Sequence, residues 1–96
     1  MLEAAVRVTN TLGLHARAAA KLVRLASTFD AMVTLKRDDT NVEANARSIL
    51  DLLYLAAGQG VQVKITFNGV DEVEAAAAIT KLFKNGFGED QQPEME

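Results

Sequence analysis

The chain has no cysteine and a single histidine, His15. Without thiols there is neither a disulfide framework nor thiolate chemistry. One imidazole and no cysteine leave too few ligands for a structural zinc site. No apolar run approaches the roughly 20 residues that a membrane-spanning helix needs. No GxxxxGK[ST] loop is present, so ATP binding through a P-loop is not expected. There is no second histidine, and Ser27 and Ser48 lie more than a helical turn from His15 in sequence, so nothing marks a serine hydrolase. No repeat recurs at the period of roughly 20–50 residues that builds solenoids or propellers. The N-terminus shows no basic segment followed by an apolar run, the mark of a signal peptide. The expected setting is a soluble, cytoplasmic protein.

What remains is a chain of 96 residues, 49% of them hydrophobic, enough for one small core. The net charge of −3 is unevenly placed. Residues 1–47 carry seven Lys/Arg and five Asp/Glu, whereas residues 48–96 carry three and eight. That balance argues against general nucleic-acid binding. A basic face near His15 suits an acidic protein partner, although charges of this kind are often no more than a solvated surface.

The patterning alternates strands and helices. Leu2, Ala4, Val6 and Val8 against Glu3, Ala5, Arg7 and Thr9 predict a half-buried strand. From Ala16 the period becomes helical, with Ala19, Leu22, Val23, Ala26 and Phe29 facing the core, and the helix is expected to end near Thr28. Residues 32–37 read as a second strand with Val33 and Leu35 inward, 38–41 as a polar hairpin, and 42–45 as a short third strand. A second helix is expected over about residues 48–57, with Ile49, Leu52, Leu53 and Ala56 as its stripe and a glycine cap at Gly58-Gln59-Gly60. Residues 61–67 form the clearest strand. Asp71, with Glu74 as a capping-box partner, is expected to start a third helix that buries Val73, Ala76, Ala77, Thr80 and Phe83, flanked by Ile79 and Leu82. Asn85-Gly86 stops it. The order β-α-β-β-α-β-α predicts an α+β domain over residues 1–89, a four-stranded antiparallel sheet covered on one face by three helices. Residues 90–96 are expected to be an acidic, disordered tail.

Two places carry candidate chemistry. His15 falls where a strand gives way to an alanine-rich helix, and Arg17 follows two residues later. A helix start presents unpaired N–H groups and partial positive charge, a natural seat for an anion such as phosphate. A neutral imidazole is a nucleophile, and a guanidinium places a fork of donors on phosphoryl oxygens. A lone histidine is commonly a cap or a satisfied surface group, and Arg17 alone would read as a solvated helix residue. Together at a helix start they point to phosphate held in a form that can be passed on. Ser48, after Arg47, stands at the start of the second helix. Serine usually caps there, and phosphorylation at the same hydroxyl would alter the charge of a docking face.

Gly13-Leu14-His15-Ala16-Arg17 resembles the phosphohistidine motif of the HPr family, the phosphocarriers of the bacterial phosphoenolpyruvate-dependent sugar phosphotransferase system. Asn45-Ala46-Arg47-Ser48-Ile49-Leu50 resembles the family's regulatory serine motif, and residues 61–67, Asn68-Gly69 and Asn85-Gly86-Phe87-Gly88-Glu89 look like its last strand and helix. The resemblance covers about residues 1–89. It implies an open-faced β-sandwich, with His15 accepting phosphate at Nδ1 from phosphorylated Enzyme I and passing it to the A component of a sugar permease. Arg17 would stabilise the phosphorylated state, and Ser48 matches the serine modified by HPr kinase/phosphorylase. Ile49, Leu50 and Leu53, with Ala20, Lys21 and Arg24 of the first helix, match the docking surface. The implied protein is a carrier rather than an enzyme, a monomer without cofactor, metal, nucleic-acid partner or membrane insertion.

Four features depart from the family pattern. Ala18 replaces a proline that preorganises the first helical turn. Leu12 stands where a small polar residue is common. The connection between the second and third strands is longer than usual, and Asp51 stands where glycine is common, adding a carboxylate near Ser48. Leu12, the longer hairpin and Gly86-Phe87 look like the nitrogen-related branch of the same system, whereas the Ser48 motif looks like the sugar branch. A rival of another class is a small ligand-binding α+β module in which His15 is incidental. Such a module has no need of His15 and Arg17 at a helix start.

Overall fold

The computed structural model describes residues 1–89; the expected tail at 90–96 lies outside them. Four strands form one antiparallel sheet in the order β1-β4-β2-β3, with β1 Leu2–Arg7, β2 Met32–Arg37, β3 Glu43–Asn45 and β4 Gln62–Asn68. Helices α1 Ala16–Ala26, α2 Ile49–Leu55 and α3 Glu72–Lys84 complete the domain, and a short 3₁₀ turn, Gly86–Gly88, follows α3. The strand alternation explains the layering. The register aligns Ala4, Ile65, Leu35 and Ala44 in one row across all four strands, beside the pairs Val6–Val63 and Val33–Phe67. Val33, Leu35, Val63, Ile65 and Phe67 are buried against Leu22, Leu52, Leu55, Ile79 and Phe83 of the helices. This is the expected two-layer architecture. Among the described residues no helix is long and apolar enough to cross a membrane.

Several boundaries and faces differ from the sequence reading. Helix α1 ends at Ala26 rather than near Thr28, because Thr28 Oγ1 donates to Leu25 O at 2.7 Å and Phe29 N bonds Ala26 O, tightening the last turn. Val23 and Phe29 are only half-buried, whereas Ala18 and Ala19 are fully buried. Helix α2 is shorter than expected and turns Leu52 and Leu55 inward, leaving Ile49, Leu53 and Ala56 exposed. Its end is not the glycine pair. Ala56 takes the left-handed conformation (φ 55°, ψ 39°). Arg37 donates to Leu55 O at 3.1 Å and Ala56 O at 2.9 Å, satisfying the carbonyls that the helix end leaves open. Asp39 grips the same guanidinium through both carboxylate oxygens, and this hydrogen bonding holds its carboxyl below the ordinary range.

Helix α3 buries Ala75, Ala76, Ile79 and Phe83. Val73 is 65% exposed, Ala77 is exposed, and Thr80 and Leu82 are half-buried. The helix is rotated from the expected face because Ala75 and Ile79, not Val73 and Ala77, complete the stripe with Ala76 and Phe83. The capping box also differs. Glu72, not Glu74, reaches back, its Oε1 accepting from Gly69 N at 3.0 Å. Asp71 precedes the helix without capping it by its side chain; its carboxylate accepts from Asp30 N and Ala31 N, each at 2.8 Å. These donors hold the Asp71 carboxyl below its ordinary value, and the Gly69 amide does the same for Glu72.

Candidate functional site

The loop between β1 and α1 is built to present His15. Asn10 is fully buried; its Nδ2 donates to Gly13 O at 2.8 Å, while Gly13 N donates to Asn10 O at 3.1 Å. Leu14 is buried and its N–H bonds Ala57 O at 2.9 Å, which ties the loop to the chain just after α2. Gly13 is required here twice over. Its φ is +68°, and a Cβ would stand 2.7 Å from Ala57 O and 2.8 Å from Gly58 Cα. The glycine therefore allows the loop to lie directly on the Ala57-Gly58 backbone.

His15 is the N-cap of α1, in extended conformation (φ −81°, ψ −175°). Its carbonyl takes the Ala19 amide at 2.8 Å, and its Nδ1 accepts from Arg17 N at 3.3 Å. The imidazole thus does what serine or aspartate does at other helix starts, satisfying one of the open first-turn donors. A nitrogen that accepts a hydrogen bond carries its lone pair and no proton, so Nδ1 points its lone pair at the positive end of α1. The side chain is 27% exposed. Arg17 and Arg24 are exposed along the same helix.

The other ring nitrogen has a partner absent from the sequence reading. His15 Nε2 lies 2.7 Å from Glu89 Oε2, and the Glu89 side chain is only 10% exposed. Glu89 Oε1 accepts from Asn10 Nδ2 at 3.0 Å. Phe87, buried and edge-on to Phe83 at 4.9 Å, fixes the turn that carries Glu89. Lys21 Nζ donates to Phe87 O at 2.6 Å, so the lysine expected to face a partner also holds this turn. In the sequence Glu89 is the last residue of the Asn85-Gly86-Phe87-Gly88-Glu89 ending, and nothing local assigns it a partner. Only the path of the chain after α3 brings it to His15, 74 residues away.

Ser48 is the N-cap of α2, its Oγ accepting from Asp51 N at 3.2 Å. Asp51 in turn accepts from Asn45 N at 3.1 Å, so the carboxylate that departs from the family pattern serves as part of the cap. Arg47 turns away from Ser48 and donates to Phe29 O and Ala31 O. The outward side of α2 shows Leu50 at 75% and Tyr54 at 79% exposure, with Ile49 and Leu53 less exposed. Leu12 projects from the loop that rests on the far end of α2, at 67% exposure. Ile49, Leu50 and Leu53, the expected docking residues of α2, are thus all exposed, and so are Leu12 and Tyr54. Ser48 stands at one end of the seven-residue α2, and the His15 loop is bonded through Leu14 N to Ala57 O just past the other. Ala20 and Lys21 are half-buried. Among the described residues no group of three or more His, Cys, Asp or Glu could hold a metal ion.

Comparison with known proteins bears on what such a surface does. Residues 2–85 match the family described as "PTS HPr component phosphorylation site". The chain is 47% identical over 90 residues to the phosphocarrier protein HPr of Xylella fastidiosa, covering 94% of this chain and 99% of that one. It is equally 47% identical over 85 residues to the phosphocarrier protein NPr of Escherichia coli K12, covering 88% and 93%. Among solved structures, HPr-C-His from Thermoanaerobacter tengcongensis superposes with a TM-score of 0.87 at 39% identity, covering 93% of this chain and 98% of that one.

Proposed function

Because the chain belongs to the HPr/NPr family of phosphocarrier proteins, we propose that it accepts a phosphoryl group on His15 Nδ1 from phosphorylated Enzyme I and passes it to the A component of a sugar permease. The observation that carries this reading is the ring's orientation: Nδ1 accepts from the Arg17 amide in the first turn of α1, so this nitrogen carries the lone pair and no proton. A phosphoryl group bonded there meets the positive end of an eleven-residue helix. Arg17, exposed in the same turn, is the candidate to place a fork of donors on the added oxygens. The protein is then a substrate of its kinases and acceptors, not a catalyst that turns over alone. It works without a cofactor, as a monomer in the cytoplasm.

Docking falls to the apolar side of α2, with Ile49, Leu50 and Leu53, and to Ala20, Lys21 and Arg24 of α1. Ser48 is the candidate for a second, regulatory phosphorylation by HPr kinase/phosphorylase. Its hydroxyl is engaged by Asp51 N, and the Asp51 carboxylate adds like charge against an incoming phosphate. Serine modification is therefore expected to be slower than in a chain with an uncharged residue at this position.

Incubation with Enzyme I and labelled phosphoenolpyruvate tests the central claim. One acid-labile phosphate is expected, and none in His15→Ala; equal labelling of that variant would place the site elsewhere. A second reading has specific support, since HPr and NPr relatives match with the same identity. In it the carrier serves the nitrogen-related branch. Presenting the labelled protein to A components of both branches decides between them by which one takes the phosphate.

A further inference from the structure

The contact between Glu89 and the second ring nitrogen asks what a nearly buried carboxylate does beside a phosphoacceptor. Resting on the reading of His15 above, we infer that Glu89 is a positioning residue for phosphoryl transfer: its carboxylate holds the imidazole as the Nε2–H tautomer and balances the charge the ring acquires when Nδ1 bonds phosphorus.

The geometry supports each part. Neutral imidazole carries one proton, and the two tautomers differ in which nitrogen is the nucleophile. Nδ1 accepts from Arg17 N at 3.3 Å, and Nε2 stands 2.7 Å from a carboxylate oxygen that can only accept when ionised. Both contacts select the tautomer with the proton on Nε2. In the transfer step the Nδ1 lone pair forms the N–P bond. The bond from phosphorus to the donor atom breaks, and its electron pair leaves with the donor. The Nε2 proton stays where it is, so the ring becomes cationic and stands in an ion pair with Glu89. A carboxylate that orients an imidazole and stabilises its cation is a general device for histidines that exchange charge during a reaction.

The carboxylate is itself held. Oε1 accepts from Asn10 Nδ2, whose other bond closes the His15 loop on Gly13 O. The turn before it is anchored by Phe87 in the core and by Lys21 on the Phe87 carbonyl. Glu89 thus links the far end of the chain to both the loop and the ring. Its alignment does not depend on a mobile surface side chain.

The experiment uses the full chain and two variants, Glu89→Gln and Glu89→Ala. Long-range ¹H–¹⁵N NMR of the unphosphorylated protein reads the His15 tautomer. Single-turnover labelling from Enzyme I and phosphoenolpyruvate reads the maximal rate and the half-saturating Enzyme I concentration. Glutamine keeps an acceptor for Nε2–H but not the charge. It should retain the tautomer, slow the maximal rate about tenfold as a charge-assisted bond is replaced by a neutral one, and leave the half-saturating concentration unchanged. Alanine should also yield a mixture of tautomers. Should it unfold the C-terminal turn, Glu89→Gln alone decides. Wild-type tautomer in both variants, or maximal rates within twofold of wild type, overturns the inference while leaving His15 as the phosphoacceptor. A wild-type protein that takes no label overturns the phosphoacceptor reading itself and this inference with it.

Discussion

Replacing Gly13 by alanine should damage both the stability and the seating of the His15 loop, and the size of the effect follows from three terms. A non-glycine residue at φ +68° costs about 1–2 kcal/mol against its preferred conformations. The new Cβ would meet Ala57 O at 2.7 Å and Gly58 Cα at 2.8 Å. Both are backbone atoms, so the loop must lift rather than a side chain rotate, a strain of roughly 1 kcal/mol or more. Lifting it weakens the Leu14 N–Ala57 O bond of 2.9 Å, worth about 1 kcal/mol. The sum is about 3 kcal/mol, a fall in melting temperature of roughly 10–20 °C for a domain of this size. Urea and thermal unfolding followed by circular dichroism measure it. Gly58→Ala is the internal control: a Cβ there meets nothing within 4 Å, and its φ is not in the left-handed region. That variant should stay within about 0.5 kcal/mol of wild type. A loss below about 1 kcal/mol for Gly13→Ala, or equal losses for the two variants, would refute the idea that the His15 loop is seated on the α2 end through a glycine contact.

Other perturbations separate the site from its scaffold. Arg17→Ala should leave the melting temperature unchanged and slow phosphoryl transfer from Enzyme I; unaltered transfer kinetics would remove Arg17 from the site. Leu52→Ala empties a fully buried position under the sheet and should cost about 2–5 kcal/mol in urea unfolding. Asp71 and Glu72 make stability depend on acidity. Their carboxyls are held below their ordinary values by backbone amides, so their contribution is present above the unfolded-state values of 3.8 and 4.5 and is lost as pH falls through the lowered folded-state values. Asp71→Asn should therefore be less stable than wild type near neutrality, and the gap should narrow in acid. Unfolding midpoints across a pH series would show this, and a constant gap would place the loss elsewhere.

Where sequence reading succeeded, one local signal sufficed. Val63, Ile65 and Phe67 alternate with polar residues, so their face was decided before the sheet formed, and β2 behaves likewise through Val33 and Leu35. Helix α2 is different. It is apolar at every position but Asp51 and Tyr54, so several faces could have been buried. The Ser48 cap and the Arg37 clamp bracket the segment that turned Leu52 and Leu55 inward. Helix α3 poses the same ambiguity through Ala75 to Ala78, where four identical side chains carry no direction.

The sequence alone determined the layer order, the helix start at His15, the phosphocarrier family and the pairing of a histidine with an arginine in one helical turn. Those depend on neighbours within a few residues, where backbone geometry dictates who meets whom. The tertiary structure alone decided that Glu89 meets the ring, that Asn10 ties it to the loop, and that Asp71 bonds the chain before β2 instead of capping α3. Each of these is a polar contact between segments far apart in the chain. It forms because burial of Phe83, Phe87 and their neighbours brings the partners together, and no local pattern records which partners those will be.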